Sequence, residues 1–307
     1  MLHGSIICAM LREAAGRDAV FENEDMSART SFRIGGPAAL FVAPDSEEAA
    51  AEAVRIVRRE NVPYFIMGNG SNLLVADRGF DGVVIQLAKR MSGFRVEGQE
   101  IIAQSGALLS RIAAAARNAG LDGFSFASGI PGTFGGACMM NAGAYGGEMK
   151  DVLTAVRVLD QNGEIRTVLP EEMGLGYRES AFEKRGDIVL GGTIRLTPGD
   201  PVKIGERMEQ LALMRKEKQP LTQPSAGSTF KRPKGYFAGK LISDAGLKGY
   251  RIGGAEVSEK HAGFVINAGG ATAEDVRKLI AHIQMTVKEQ FGVTLEPEVK
   301  FLGFEEA

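Results

Sequence analysis

The 307 residues are enough for two domains, and 44% hydrophobic and 24% charged residues are ordinary for a globular protein. A net charge of −2 at neutral pH gives no reason to expect nucleic acid or an anionic membrane as a partner. The two cysteines, Cys8 and Cys138, exclude a disulfide framework. Because residues 4–11 are too short to span a bilayer and lack a signal-peptide pattern, we expect a cytoplasmic protein without a membrane partner.

The first half of the chain predicts helices alternating with strands. A helix is predicted over 45–61, because Asp45 and Glu48 have capping-box spacing. A short buried strand follows at Tyr64–Met67, then a strand over 83–87 and a helix over 108–118. This order predicts an α+β or α/β fold.

The next part of the chain predicts antiparallel strands over 156–160 and 165–168, joined by an Asn162-Gly163 hairpin turn. In the strand predicted over 188–196, Gly191-Gly192 indicates a bulge or a close backbone approach.

Two helices are predicted in the last third, over 204–218 and over 273–291, the second capped by Thr272 with Asp275. Its predicted core face contains Val276, Leu279, Ile280, Ile283, Val287 and Phe291. A final strand over 293–301 would place Val293, Leu295, Val299 and Phe301 on one face, with Glu296, Glu298 and Lys300 on the other.

Two glycine-rich segments, 68–75 and 128–147, carry the strongest functional signal. Glycine at such density weakens helices and strands, so it predicts a backbone that approaches a phosphate-bearing ligand with its N–H groups. The first segment is not a Rossmann fingerprint, because Leu73 stands where the third glycine belongs and no helical pattern follows. The polar side chains expected to help hold the phosphates are Ser71, Asn72, Ser128, Thr133 and Asn141.

Both segments resemble the FAD-binding segments of vanillyl-alcohol-oxidase-type flavoproteins. With Asn141-Ala-Gly-Ala-Tyr-Gly146, the chain is similar to the UDP-N-acetylenolpyruvoylglucosamine reductase family of bacterial cell-wall synthesis, from Thr30 to Phe301. The resemblance implies an α+β fold: an N-terminal segment (1–29), a two-part FAD-binding domain of the vanillyl-alcohol-oxidase/p-cresol-methylhydroxylase type (30–198) and a smaller α/β substrate-binding domain (199–307).

The resemblance also implies a UDP-N-acetylmuramate dehydrogenase reaction with NADPH as reductant, in which FAD passes the electrons to UDP-N-acetylglucosamine enolpyruvate. The family's catalytic arginine, serine and glutamate fall on Arg178, Ser228 and Glu298. Arg178 would stabilise the enolate charge, Ser228 would protonate C2, and Glu298 would position or protonate nearby. Without the resemblance, the favoured interpretations are an arginine on the surface, a serine in a turn and a glutamate on the solvated face of a strand. The assignment of these residues therefore rests on the resemblance. Glu296 is a weaker candidate.

The remaining site residues implied by the resemblance fall into two sets. The cofactor-binding set is Gly68, Asn69, Gly70, Ser71, Asn72, Leu73, Ser128, Gly129, Pro131, Gly132, Thr133, Gly135, Gly136, Asn141, Ala142 and Gly143. The substrate-binding set is Tyr145, Tyr177, Arg215, Lys231 and Arg232. Lys216 and Lys218 are read as a solvated helix end. The spacing of Arg178 and Ser228 matches the class that lacks an inserted tyrosine loop, so the residue that closes over the substrate is unassigned.

Two other functions compete with this interpretation. One is a flavin oxidase of the same fold acting on an alcohol or phenol, and the other is a nucleotide-sugar-binding or regulatory protein without catalysis. Because the histidines lie outside the glycine-rich segments and Cys138 is the only thiol in them, we expect non-covalent FAD. His261 is read as structural, no metal site is predicted, and we expect a monomer, although the sequence does not fix the oligomeric state.

Overall fold

The computed structural model describes residues 2–305; residues 1, 306 and 307, at the ends of the predicted segment 1–29 and domain 199–307, lie outside the described residues. The α-helices are α1 (Leu2–Ala15), α2 (Glu47–Arg59), α3 (Leu109–Asn118), α4 (Phe134–Met139), α5 (Pro170–Met173), α6 (Ala181–Arg185), α7 (Pro201–Lys218), α8 (Ala238–Asp244) and α9 (Ala273–Phe291).

The strands in the first part of the chain are β1 (Val20–Asp25), β2 (Pro37–Val42), β3 (Tyr64–Met67), β4 (Leu73–Val75), β5 (Phe80–Gln86), β6 (Phe94–Glu97), β7 (Glu100–Gln104), β8 (Leu121–Asp122), β9 (Gly143–Ala144) and β10 (Gly147–Glu148). Those that follow are β11 (Leu153–Leu159), β12 (Ile165–Val168), β13 (Ile188–Arg195), β14 (Thr197–Pro198), β15 (Arg251–Ile252), β16 (Ala255–Val257), β17 (Val265–Asn267) and β18 (Lys300–Leu302). This mixture of helices and mostly antiparallel strands confirms the α+β class.

The chain forms two compact units, each assembled from separate stretches. Unit 1 contains the described residues up to 21 together with 40–69 and 82–215, and unit 2 contains 22–39, 70–81 and the residues from 216 onward. The predicted domains are continuous in sequence, whereas these units are not. The short stretches 30–39 and 70–81 belong with the last third of the chain.

Unit 1 is built around a five-stranded antiparallel sheet in the order β12-β11-β13-β7-β6. Helices α3 and α4 cover this sheet, and their Leu109, Ile112 and Phe134 join its buried hydrophobic cluster. Unit 1 also contains a parallel pair of strands, β3 and β5, in which Tyr64 lies opposite Val83. Helix α1 packs on α2, which is why its Ile7 and Leu11 are buried.

Local signals in unit 1 are mostly confirmed. The hairpin between β11 and β12 turns at Asn162-Gly163, and Gly163 has a φ of 81°. The register of β11 against β13 shifts opposite Gly191, and a Cβ on Gly192 would lie 3.0 Å from the Phe134 ring, so both a bulge and a close approach are present. The predicted cap of α2 is wrong. Ser46, one residue after Asp45, is the N-cap, and its hydroxyl accepts from the N–H of Ala49.

Unit 2 packs α9 against the antiparallel sheet β15-β16-β17, and β18 lies parallel to β4. The predicted capping box of α9 is confirmed: Thr272 accepts from the N–H of Asp275 at 3.0 Å, and Asp275 accepts from the N–H of Thr272 at 3.0 Å. Asp77 accepts from the next two N–H groups of the helix. Five of the six predicted core residues are buried, but Phe291 is 37% exposed, because the helix ends there at a left-handed Gly292.

The predicted strand over 293–301 is wrong in extent, since only Lys300–Leu302 is a strand. Pro297 interrupts the pattern because it has no N–H to donate. Leu295 and Val299 are buried as predicted, whereas Phe301 is 37% exposed. Within residues 2–305, no helix is long and apolar enough to cross a membrane.

The cap of α9 generates a stability prediction. Thr272→Ala removes the hydroxyl acceptor of the first helical turn and should lower the free energy of unfolding by about 1 kcal/mol. Thr286→Ala is the matched control, because Thr286 lies inside the same helix and its hydroxyl donates to the His282 carbonyl. It should change stability by less than about 0.5 kcal/mol. Denaturant titration of both variants measures the difference, and equal losses would contradict the capping role.

Candidate active site

Within unit 1 the glycine-rich segment 128–147 lies against the end of β3. Asn69 donates its side-chain N–H to the carbonyl of Pro131 at 3.1 Å. Gly68 packs so closely on the Thr133 hydroxyl that a Cβ at position 68 would overlap it. Residues 70–73 of the first segment belong to unit 2. The two segments therefore meet in unit 1 through Gly68 and Asn69.

Several of these glycines are required by packing alone. A Cβ on Gly135 would overlap the buried Ser105 side chain, and one on Gly143 would lie 2.7 Å from the Gly147 carbonyl. A Cβ on Gly147 would lie 2.5 Å from the Phe126 ring. Close backbone packing thus explains part of the glycine content that the sequence assigned to a ligand.

Gly132 and Gly136 have no such reason to be glycine. An added Cβ would meet nothing nearer than 3.8 Å at Gly132 and 3.6 Å at Gly136, and neither has a positive φ. Gly136 is exposed in the first turn of α4, where alanine would favour the helix. The space beside these two glycines fits a ligand that approaches the backbone, which is what an FAD cradle requires.

Several polar side chains of the predicted cofactor set make hydrogen bonds within the protein. Ser128 donates to the Ser125 carbonyl at 2.8 Å, and Thr133 accepts from the N–H of Gly136 at 3.5 Å as the N-cap of α4. Asn72, in unit 2, donates to the Glu298 carbonyl at 3.0 Å. Their side chains shape the loops, and direct contact of these residues with FAD stays a prediction.

Arg178 lies at the tip of a tight turn in unit 1. The N–H of Gly176 donates to the Glu179 carbonyl at 3.1 Å, which closes the turn around Tyr177 and Arg178. Arg178 has a φ of 56°, a left-handed conformation that a bulky side chain rarely adopts. Its guanidinium lies over the Tyr177 ring at 5.2 Å from the centroid, and Tyr177 is 53% exposed.

Arg215 is a partly buried cation beside the glycine-rich segment. Its guanidinium lies against Gly129, where an added Cβ would be 3.1 Å from one terminal nitrogen. Its Nε is buried without a hydrogen-bond partner among the described residues. Burial lowers the pKa of Arg215, and the neighbouring Tyr145 hydroxyl opposes that shift. An unsatisfied buried donor is costly, so this geometry suits an anionic ligand group.

Ser228 and Glu298 are brought together in unit 2 by backbone pairing. Thr229, which follows the exposed Ser228, accepts from the N–H of Glu298 at 2.8 Å and donates its own N–H to the Gly263 carbonyl at 2.8 Å. The Thr229 hydroxyl accepts from the N–H of Val265 at 2.9 Å. Residue 229 is thus held from both sides, which fixes the backbone beside Ser228.

The cations near Ser228 are engaged by neighbours. The N–H of Lys231 donates to the Glu296 carbonyl at 2.9 Å, and its ammonium pairs with the Glu296 carboxylate at 3.3 Å. Arg232 lies over the Phe237 ring at 4.0 Å. Glu296 therefore compensates the charge of Lys231, and it shares with Glu298 the segment that pairs with 229–231.

The thiol and the imidazole singled out in the sequence have structural environments. Cys138 is fully buried in α4, and burial raises the pKa of its thiol, so it is a poor nucleophile for flavin attachment. Burial also lowers the pKa of His261, whose Nδ1 accepts from the N–H of Gly263 at 3.1 Å. No group of three metal-ligating side chains occurs within the described part of the chain.

Sequence reasoning did not single out Glu148 or Thr229. Glu148 directly follows the glycine-rich segment, and its carboxylate accepts from the Asn141 amide at 2.6 Å. For Thr229 the sequence offered one signal, its position next to Ser228. Its side chain is 2% exposed because residues distant in the chain pair with it, and the sequence does not reveal that pairing.

The contrast between Gly135 and Gly136 generates a prediction. Gly136→Ala should leave the thermal stability of the FAD-free protein unchanged or raised, while FAD affinity falls at least about tenfold because the new methyl occupies the ligand space. Gly135→Ala should instead destabilise the FAD-free protein by about 1–3 kcal/mol through overlap with Ser105. Thermal unfolding and FAD titration separate the two effects. Unchanged FAD affinity in Gly136→Ala would contradict a cradle at α4.

Two family models match parts of this chain. Residues 38–169 match a family model described as an FAD binding domain, which confirms FAD as the expected cofactor. Residues 219–302 match the model described as UDP-N-acetylenolpyruvoylglucosamine reductase, C-terminal domain.

Named relatives cover nearly the whole chain. The UDP-N-acetylenolpyruvoylglucosamine reductase of Caldanaerobacter subterraneus subsp. tengcongensis is 53% identical over 97% of this chain and 98% of its own length. The protein of that name from Clostridium perfringens strain SM101 is 52% identical over 96% of each chain. The crystal structure of the Thermus caldophilus reductase superposes with a TM-score of 0.78 and 36% identity, covering 92% of this chain and 98% of that one. The chain therefore belongs to the UDP-N-acetylenolpyruvoylglucosamine reductase family of FAD-dependent oxidoreductases.

Proposed function

We propose that the chain reduces UDP-N-acetylglucosamine enolpyruvate to UDP-N-acetylmuramate with NADPH and FAD, a step in the synthesis of peptidoglycan precursors. The observation that carries the proposal is the near-full-length identity of about half the residues to proteins named for this reduction. The glycine cradle beside Gly132 and Gly136 supports the cofactor. The buried cation Arg215 supports an anionic substrate.

In this proposal FAD, when bound, supplies the reducing equivalents taken from NADPH. The residues of unit 1 that would hold it are Gly68, Asn69, Ser128, Gly129, Pro131, Gly132, Thr133, Gly135, Gly136, Ala142 and Gly143 with the backbone of Asn141, and those of unit 2 are Gly70, Ser71, Asn72 and Leu73. The cradle offers backbone groups rather than charged side chains, so the cofactor phosphates would be bound mainly by loop dipoles.

Arg178 stabilises the negative charge that develops on the enolpyruvyl carboxylate as the double bond is reduced. A guanidinium is always charged and offers two parallel donors to a carboxylate. The closed turn from 176 to 179 fixes its backbone before the substrate binds, and such preorganisation makes an electrostatic group effective.

Ser228 donates a proton to C2 of the reduced side chain, which completes the addition of two electrons and two protons across the double bond. A serine hydroxyl is a weak acid, so it needs positive charge nearby. Lys231 and Arg232, three and four residues after Ser228, are the cations that would supply it, and Glu296 compensates part of the charge of Lys231. Glu298 positions the substrate or the proton. Its backbone N–H donates to the carbonyl of Thr229, the residue next to Ser228.

Arg215 binds the diphosphate of the UDP group, and Tyr145 and Tyr177 provide aromatic surfaces to the substrate. Tyr145 is 37% exposed and has a left-handed φ of 52°, so its backbone is held in a conformation that its side chain disfavours. The proposal includes a monomer in the cytoplasm, where the thiols of the two buried cysteines would stay reduced.

Ser228→Ala should separate the two halves of the reaction. Under anaerobic conditions NADPH should bleach the flavin of the variant within about twofold of the wild-type rate, because the serine does not act in that half-reaction. Reoxidation by UDP-N-acetylglucosamine enolpyruvate should slow by about 10²–10⁴-fold, since the proton donor is gone. Stopped-flow absorbance of the flavin measures both rates.

Ser110→Ala, on the exposed face of α3, is the matched control and should change neither rate. Equal slowing of both half-reactions in Ser228→Ala would contradict the proton-donor role. Wild-type flavin that is reoxidised by oxygen but not by this substrate would indicate the oxidase function instead.

Arg215→Lys tests the diphosphate contact. The Kd for UDP should rise about 10- to 100-fold, because charge-assisted hydrogen bonds contribute about 1.5–3 kcal/mol and an ammonium cannot replace the guanidinium fork. The melting temperature should not fall, since the variant removes a buried Nε that has no partner among the described residues. Calorimetric titration with UDP measures the affinity. Lys218→Ala, at the solvated end of α7, should bind UDP as the wild type does, and an equal loss there would contradict a specific role for Arg215.

A further inference from the structure

Asn141 uses nearly all of its hydrogen-bonding capacity inside the protein. It is 1% exposed, and its amide nitrogen donates to the Glu148 carboxylate at 2.6 Å and to the Gly176 carbonyl at 2.9 Å. Its amide oxygen accepts from the N–H of Lys150 at 2.9 Å. Since an asparagine side chain has two donors and two lone pairs, one acceptor position is left for any ligand.

The bond to Gly176 anchors the turn that carries Arg178. Gly176 is the first residue of that turn, and Arg178 is held there with a φ of 56°. On the far side of the turn, the buried Ser180 donates its hydroxyl to the Met139 carbonyl at 2.6 Å. Both anchors come from the three residues 139–141, so the glycine-rich segment fixes the arginine turn at both ends.

Glu148 adds a charged partner to this arrangement. Its carboxylate pairs with the Lys150 ammonium at 3.1 Å and accepts from Asn141. The Lys150 hydrogen bond lowers the pKa of Glu148 against the effect of burial, and the Asn141 hydrogen bond and the charge of Arg178 act in the same direction. Glu148 is therefore ionised at neutral pH, close enough to Arg178 for their charges to interact.

We propose that Asn141, with Glu148, is a positioning residue that acts on the reduction through Arg178 rather than by contacting the cofactor. The inference rests on the proposed function of Arg178, and it replaces the cofactor-binding role predicted for the Asn141 side chain. Its physical basis is that an arginine in a strained turn keeps its place only while the surrounding bonds hold that turn. A displacement of about 1 Å at a catalytic group can cost about 10²-fold in rate.

The test uses Asn141→Asp, which keeps the shape of the side chain, removes both N–H donors and places a carboxylate beside that of Glu148, so both anchoring bonds are lost. Reoxidation of NADPH-reduced flavin by UDP-N-acetylglucosamine enolpyruvate should slow about 10- to 100-fold. The Kd for FAD, measured by flavin fluorescence, and the rate of flavin reduction should stay within about twofold. In the Arg178→Ala background, Asn141→Asp should slow reoxidation by less than about threefold more, because residues that act through one group are not additive.

Two further variants keep the outcome interpretable. Glu148→Gln keeps an acceptor for Asn141 and removes only the charge, so it should slow flavin reoxidation by about 3- to 10-fold. In the Arg178→Ala background it should not slow reoxidation further. Asn162→Asp, in the exposed β11–β12 hairpin turn, is the matched control, since Asp-Gly also suits that turn. It should change no rate.

Weaker FAD binding or slower flavin reduction in Asn141→Asp would overturn the inference in favour of a cofactor contact. If the reoxidation rate of the double variant falls by the product of the two single-variant factors, Asn141 acts independently of Arg178 and the inference is overturned. The proposed function is wrong if the flavin of Arg178→Ala is reoxidised at the wild-type rate, or if the substrate does not reoxidise the wild-type flavin. In either case the inference, which rests on that function, is wrong too. These last two results are seen without any change at Asn141, so the two failures are distinguishable.

Discussion

The close approach of α4 to the five-stranded sheet is the constraint on which the site in unit 1 depends. The N–H groups of Phe134 and Gly135 donate to the carbonyls of Ala107 and Ser105, both at 2.8 Å. Helix α4 can lie this close to the sheet only because Gly135 and Gly192 have no Cβ. A Cβ at position 135 would overlap Ser105, and one at position 192 would press on the Phe134 ring. Once α4 is fixed in this way, the chain that leaves it at residues 139–141 reaches the Arg178 turn. The cradle and the arginine are therefore parts of one packed structure.

The glycines of segment 128–147 consequently serve two purposes. Gly135, Gly143 and Gly147 let backbones pack against each other, whereas Gly132 and Gly136 leave space that the protein does not fill. Sequence composition cannot separate these purposes, because both produce the same residue. Only the position of the missing Cβ, and what it would touch, assigns each glycine to packing or to ligand binding.

The parts of the structure that the sequence predicts are those set by local interactions. The bounds of β3 and α9, the Thr272 capping box and the Asn162-Gly163 turn depend on residues within four positions of each other. The failures have longer-range causes. Phe301 follows an alternating pattern, yet Pro297 interrupts the strand and leaves that ring 37% exposed. The motifs that carry Arg178, Ser228 and Glu298 were recognised by resemblance. The contacts that hold those motifs were not predictable, since the Asn141–Gly176 bond spans 35 positions and the Asn72–Glu298 bond spans 226.

Two arginines in unit 1 carry unfavourable free energy that the fold has to offset. The left-handed backbone of Arg178 costs about 1–2 kcal/mol, and a buried donor such as Nε of Arg215, which has no partner within residues 2–305, costs about 1–3 kcal/mol. The two costs differ in what can relieve them. A bound anion can satisfy the Nε of Arg215, so ligand binding recovers that free energy and adds to affinity. The φ of Arg178 is instead set within the chain, by the turn that the Gly176–Glu179 hydrogen bond closes. A strained backbone persists only where the surrounding structure holds it, and under the role proposed for Arg178 this strain serves to place the guanidinium, on which charge stabilisation in a transition state depends.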